Sequence, residues 1–132
     1  MNSVKEFLQA CPAYYIATMD GDQPRVRPFS SLCVYEDRLY IESNYFKPFA
    51  NQVKANPKVE ICAFDGVSRW LRITCELVDD SRYEPRKALL EQMPHIRDLG
   101  YDENDEGMSM YWMKDAVATF SSYTEEPYEV RF

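Results

Sequence analysis

Glycine is scarce in this 132-residue chain, occurring only as Gly21, Gly66, Gly100 and Gly107. None of these combine as G-x-G-x-x-G or G-x-x-x-x-G-K-[ST], so the two common phosphate-cradling nucleotide loops are excluded. Histidine occurs once, as His95 after Pro94 in a polar helical stretch, where a solvated position is expected. One histidine and no nucleophile elbow leave a hydrolytic triad without support, and one histidine with no cysteine cluster argues against a zinc or iron centre. The four cysteines, Cys11, Cys33, Cys62 and Cys75, form no C-x-x-C pair. They are expected to be buried, reduced thiols of a cytoplasmic protein. Long apolar runs are missing too, so no membrane span is expected. The start, Met1 to Glu6, lacks the basic-then-apolar pattern of a secretory signal. Positive charge is in deficit: the formal net charge is -7. That balance argues against nucleic acid or an anionic membrane surface as partner.

What the chain does contain is aromatic and β-branched sequence, including ten tyrosines, seven phenylalanines and two tryptophans. These residues favour strands, and a surplus often lines a pocket or a subunit interface. The length suits one domain over residues 1–132. Ser3 with Glu6 forms a capping-box pattern, followed by apolar residues at helical spacing, which predicts a helix over about 3–10. Three antiparallel strands follow: 13–19, 23–35 and 38–43, turned by Asp20-Gly21-Asp22 and Glu36-Asp37. Pro48 suits the first turn of a helix that Asn56-Pro57 stops. Strands are expected at 58–64 and 69–78, then a helix from a second capping box, Ser81 with Glu84, to about Met93. An acidic loop spans 100–107, and two last strands lie near 110–114 and 116–123. Strands dominate, with short helices between them, and a small antiparallel barrel is the natural closure.

Catalytic side chains are few, so an enzyme built on this chain would rely on a cofactor. One region stands out. Arg25 and Arg27 are two apart in a strand and so leave the same face. A solvent-facing stripe is one reading of that pair. Pro28 denies a ladder hydrogen bond, which marks an open edge or bulge there. Ser43-Asn44-Tyr45-Phe46-Lys47 then leads directly into a helix, whose N-terminus with a lysine and hydroxyl nearby makes a phosphate site. Ser43 or Asn44 could equally end the strand or cap the helix.

Four motifs carry a family resemblance: G-D-Q-P-R-V-R-P-F at Gly21–Phe29, L-Y-I-E-S-N-Y-F-K at Leu39–Lys47, K-A-N-P at Lys54–Pro57 and R-W-L-R-I-T-C-E-L at Arg69–Leu77. Their order and spacing resemble the pyridoxamine-phosphate-oxidase-like FMN-binding split barrels, in the small branch that includes nitroimidazole-resistance reductases. The resemblance implies an antiparallel split β-barrel and a homodimer with two FMN molecules in grooves between subunits. By position it implies Arg27 and Lys47 as phosphate ligands, with Ser43 and Asn44 nearby and Arg25 assisting or framing the groove. Pro28, Phe29 and Ser30 would run along the isoalloxazine, with Gln52 on the adjoining helix. Trp70, Arg72, Tyr111 and Trp112 would wall the groove, some from the partner subunit, although Trp112 equally suits core packing.

The chain departs from the family pattern at Pro48, where a second basic residue is common. The true oxidases also carry a tryptophan- and arginine-bearing tail that holds substrate phosphate, and Tyr128–Phe132 does not resemble it. The resemblance therefore implies an FMN-dependent oxidoreductase other than a pyridoxamine phosphate oxidase, serving a small-molecule electron donor and acceptor. A non-catalytic flavin module for storage, sensing or electron relay is the alternative.

Overall fold

The computed structural model describes residues 1–132 as one eight-stranded antiparallel sheet with short helices. The elements in chain order are α1 (Asn2–Ala10), β1 (Tyr14–Asp20), β2 (Gln23–Phe29), β3 (Cys33–Tyr35), β4 (Arg38–Asn44) and α2 (Pro48–Ala55). Then come β5 (Lys58–Phe64), β6 (Arg69–Asp79), α3 (Tyr83–Gln92), a 3-10 turn (Pro94–Leu99), β7 (Met108–Ser122) and β8 (Tyr128–Arg131). The strand order is β2-β1-β5-β6-β7-β4-β3, with β8 also on β7.

The two ends of that order, β2 and β3, are consecutive in the chain and separated only by Ser30, Ser31 and Leu32. From Phe29 to Cys33 an extended chain reaches at most about 14 Å. The sheet must therefore curl until its ends almost meet, yet no ladder joins β2 to β3. This is a split barrel, open along one seam. Ser31 spans part of the seam: its hydroxyl donates to the Glu42 carbonyl and accepts the Glu42 N–H at 3.0 Å. The Tyr14 hydroxyl, on β1, donates to the Ser31 carbonyl from the other side.

Several expectations need correction. The expected strand 23–35 is two strands, broken at Ser30–Leu32 where the chain crosses the seam. The two expected C-terminal strands are one, β7, with a bulge where Thr74 pairs with Val117 but Glu76 with Lys114. Asp115 sits there at φ 52, the left-handed twist that absorbs an extra residue. Strand β8, which sequence patterning did not reveal, pairs with the second half of β7. Neither capping box forms: α1 and α3 have no side-chain cap. The Ser81 hydroxyl instead accepts the Met110 N–H, which fastens the end of β6 to β7. Of the cysteines, Cys11, Cys33 and Cys75 are buried, whereas Cys62 is exposed on the outer face of β5.

Strand alternation explains the core. Across the sheet, Ile16, Ile61, Ile73 and Ala118 stand in one inward row, all within 0% exposure. Each large apolar side chain buried this way contributes about 1.5–3 kcal/mol. Helices α1 and α2 cover that inner face through Val4, Leu8, Phe49 and Val53. A second cluster lies across β4 and β7, where Tyr40, Met108 and Met110 meet Leu89 and Leu90 of α3 and Ile96 of the 3-10 turn. Strand β4 is thus covered on both faces, and Leu39, Tyr40 and Ile41 are buried in succession. No helix is long and apolar enough to cross a membrane.

Candidate functional site

A cleft of about 930 Å³ opens at the seam. One wall is β2 with the start of α2, and the other is Glu42 of β4 with the 3-10 turn and Tyr101. Strand β2 pairs only with β1, so alternate backbone groups along its free edge have no ladder partner. Two prolines, Pro24 and Pro28, are tolerated because this is an edge.

Arg27 lies opposite Ile16, at the end of the inward isoleucine row. Its guanidinium is therefore held on the concave side, 5.1 Å from the centre of the Phe49 ring. It donates to Thr18 Oγ1 at 2.7 Å, to Gln52 Oε1 at 2.6 Å and to the Ile16 carbonyl at 3.2 Å. Gln52 Oε1 also accepts the Thr18 hydroxyl at 2.6 Å, so strand β1, strand β2 and helix α2 meet at one polar knot. Burial, reinforced by the charge on Arg25, lowers the Arg27 pKa from its ordinary value. Such a group gains from an anion beside it.

Arg25 shares the face but not the setting. It is exposed and ion-paired to Asp20 at 3.3 Å, with both side chains more than half exposed. A pair of that kind contributes little. Lys47 is exposed, enters no ion pair and directly precedes Pro48, the first residue of α2. No side chain caps this helix, so its N-terminal partial charge borders the cleft at Pro48 and Phe49. Ser43 is 3% exposed, lines the cleft and has no partner for its hydroxyl. An unpartnered buried hydroxyl costs about 1–3 kcal/mol, which a bound acceptor would relieve. Phe29, Ser30 and Pro28 complete this wall, Phe29 tilted against Phe49 at 5.0 Å.

The structure thus brings together Arg25, Arg27, Pro28, Phe29, Ser30, Ser43, Lys47 and Gln52. Five other residues singled out from the sequence lie elsewhere in the chain's own fold. The Asn44 side chain accepts the Phe46 N–H at 2.8 Å and shapes the turn into α2. Trp70 and Arg72 stand on the outer face of the sheet, Trp70 against Tyr123 at 5.3 Å. Tyr111 is buried edge-on against Phe49, and its hydroxyl has no partner. Trp112 packs on the second cluster with the Arg38 guanidinium 4.0 Å above its ring.

Sequence reasoning missed the second wall. His95, Ile96, Leu99 and Tyr101 line it, because the 3-10 turn after α3 folds back over the seam. His95 is exposed, as expected, but at the cleft rather than away from it. Glu42 is the more consequential omission. It shares the Tyr40 face of β4, half-buried, and burial pushes its carboxyl up to about 7 against the weaker opposing pull of Lys47. The signal was present as Leu39-Tyr40-Ile41, a run apolar on both faces that puts the next carboxylate on a covered side.

Comparison with known proteins accords with this architecture. The family model described as pyridoxamine 5'-phosphate oxidase matches residues 2–107. A NimC/NimA family protein from Clostridium acetobutylicum is 36% identical, with a TM-score of 0.95 over 100% of this chain and 92% of that one. At 13% identity, a pyridoxamine 5'-phosphate oxidase-related, FMN-binding protein from Nostoc punctiforme shares the fold, with a TM-score of 0.63 over 99% and 95% of the chains. A candidate 5-nitroimidazole antibiotic resistance protein from Bacteroides thetaiotaomicron does so at 14% identity, TM-score 0.62, over 90% and 82%. No curated protein matches. The chain belongs to the pyridoxamine 5'-phosphate oxidase family. Within that fold, its likeness to the Clostridium NimC/NimA protein extends along the whole chain.

Proposed function

We propose that the protein binds FMN in the seam cleft and acts as an FMN-dependent oxidoreductase between a small-molecule donor and acceptor. The observation that carries the reading is the cationic wall of the cleft. Arg27 is preorganised by Gln52 and Thr18, Lys47 is free of ion pairs, α2 is uncapped, and the Ser43 hydroxyl lacks a partner. These features suit a phosphate monoester, and Phe29 with the free edge of β2 suits a planar ring system beside it. Arg27, Lys47 and Ser43 would hold the phosphate, and the Pro28–Ser30 stretch would set the ring's position. A bound flavin would supply the redox chemistry, while the chain supplies position, polarity and access.

The outer face of the sheet supports a homodimer. Tyr15, Val26, Phe64 and Tyr123 are 46–71% exposed there, beside Trp70. An apolar, aromatic patch of this kind suits a second copy of the chain. In a dimer, Trp70 or Arg72 of one subunit can wall the other subunit's cleft. Calorimetric titration of the purified protein with FMN and with riboflavin tests the binding, and FMN should bind more tightly. Absence of FMN binding by folded protein rejects the reading. Anaerobic addition of NADH or NADPH to the loaded protein then separates an enzyme, whose flavin absorbance bleaches at a catalytic rate, from a passive flavin carrier. Light scattering should give a dimer mass.

A further inference from the structure

The second wall of the cleft holds an acid for which the phosphate cradle has no use. Glu42 lines the cleft on the opposite side from the arginines. Its backbone is tied to Ser31 Oγ, but its carboxylate makes no hydrogen bond and no ion pair. No cation pairs with it. Lys47, the cation that pulls on it, stands outside ion-pair distance, and Arg86 of α3 donates to the Met108 carbonyl at 2.9 Å. Asp105, before β7, adds a like charge. His95 and Tyr101 line the same wall, Asp20, Arg25 and Arg27 are the other titratable groups of the cleft, and Met110 is the cross-strand partner of Glu42. A carboxylate in such a position has neither solvent enough nor partners enough to hold its charge under a ligand.

We propose that Glu42 is a ligand-binding residue of the cleft that works as a neutral acid, taking a proton from solvent as the ligand covers it and donating its O–H to a carbonyl or imine-type acceptor on a heteroaromatic ring. The inference rests on the cleft being the flavin site. The proton balance is simple: one proton leaves solvent and one carboxylate becomes a carboxylic acid, with no electron moved. Burial already pushes the uncovered carboxyl up to about 7. Coverage removes its remaining water and raises that value further, so binding and protonation are linked. The sign follows: affinity is full below the free value and falls as pH rises above it. From pH 6 to pH 8 the protonated fraction, and with it this part of the affinity, drops about tenfold. The phosphate of FMN gains charge near pH 6, which strengthens the cationic contacts and partly masks the loss. Riboflavin, with no phosphate, shows the loss unmasked.

The test is titration calorimetry with FMN and riboflavin at pH 6, 7 and 8, in buffers of different ionisation enthalpy, on the parent and on Glu42→Gln and Glu42→Ala. At pH 7 the parent should take up about half a proton per riboflavin bound. Glu42→Gln keeps a neutral donor, so it should take up none and should bind riboflavin with little pH dependence, about tenfold tighter than the parent at pH 8. Glu42→Ala should also lose the pH dependence but bind more weakly than Glu42→Gln at every pH. In the ligand-free protein, carbon-13 NMR should show one glutamate carboxyl titrating near pH 7 and missing from Glu42→Gln. Riboflavin binding at pH 7 with no proton uptake, or flavin binding with the same pH dependence in the parent and Glu42→Gln, overturns the inference and leaves the flavin site standing. A Glu42 carboxyl that titrates in the ordinary glutamate range overturns it without any ligand. Failure of FMN to bind at pH 6 overturns both.

Discussion

The two walls of the cleft are built on different principles. The β2–α2 wall draws its polar groups from two short stretches, 25–30 and 43–52, and its key side chain is held by three partners on β1 and α2 before any ligand arrives. The opposite wall draws on β4, the 3-10 turn and Tyr101, more than fifty residues apart, and its acid is held by nothing. Arg27 is at the end of a sheet row and braced by a helix, so its geometry is stiff. Glu42 is placed by the second face of a strand whose cover belongs to a separate small core. A preorganised cation and an unsatisfied acid face one space. The first provides a fixed charge, whereas the second has a charge that the ligand can change.

Removing the stiffest element should do the most damage. Arg27→Ala deletes a charge-assisted contact of about 1.5–3 kcal/mol, which predicts a ten- to hundredfold loss of FMN affinity. It also leaves buried Thr18 and Gln52 short of a partner, so the protein should lose about 1–3 kcal/mol of stability. Urea denaturation and titration calorimetry measure the two effects. Unchanged stability would mean that the polar knot is not a brace and that the walls are more alike than their geometry says.

The acid wall should show the opposite sign. Glu42 has a raised pKa in the folded chain, so its stabilising contribution is present below about pH 4.5 and is lost as pH rises through about 7. At pH 8 the folded chain therefore carries a strained carboxylate. Glu42→Gln should then be more stable than the parent by on the order of 2 kcal/mol, a gain that shrinks toward pH 5. Thermal unfolding at the two pH values decides it, and a variant less stable at pH 8 contradicts the reading.

Lys47 is braced by nothing but exposed, which makes it the intermediate case. Lys47→Ala should weaken FMN about tenfold, leave riboflavin almost unaffected and leave the melting temperature unchanged. Loss of riboflavin affinity in parallel would show that the turn into α2 had been disturbed. Smallest of all is Arg25→Ala. Its charge is shared with Asp20 in open solvent, so a loss of about threefold or less is expected, and it should vanish at high salt. If Arg25→Ala cost as much as Arg27→Ala, the shared strand face would matter more than the bracing.

The sequence alone determined the composition-level class, the antiparallel meander and the cation-bearing wall. Those signals are local: residues two apart share a strand face, a proline marks an edge or starts a helix, and a turn dipeptide sets a hairpin. The break of the expected strand 23–35, the fusion of the last two strands through a bulge and the unformed capping boxes were not legible. Each is set by a partner: the seam that Ser31 spans, the register of β6 against β7, and the Met110 amide that occupies the Ser81 hydroxyl. The same distinction separates the two walls. Arg25 and Arg27 declare themselves by spacing, whereas Glu42, His95 and Tyr101 become neighbours only when the sheet curls and the 3-10 turn crosses its open seam. Hydrophobic periodicity says which face of a strand is covered, but only the packed tertiary structure decides what covers it, and with it how little water an acid such as Glu42 keeps.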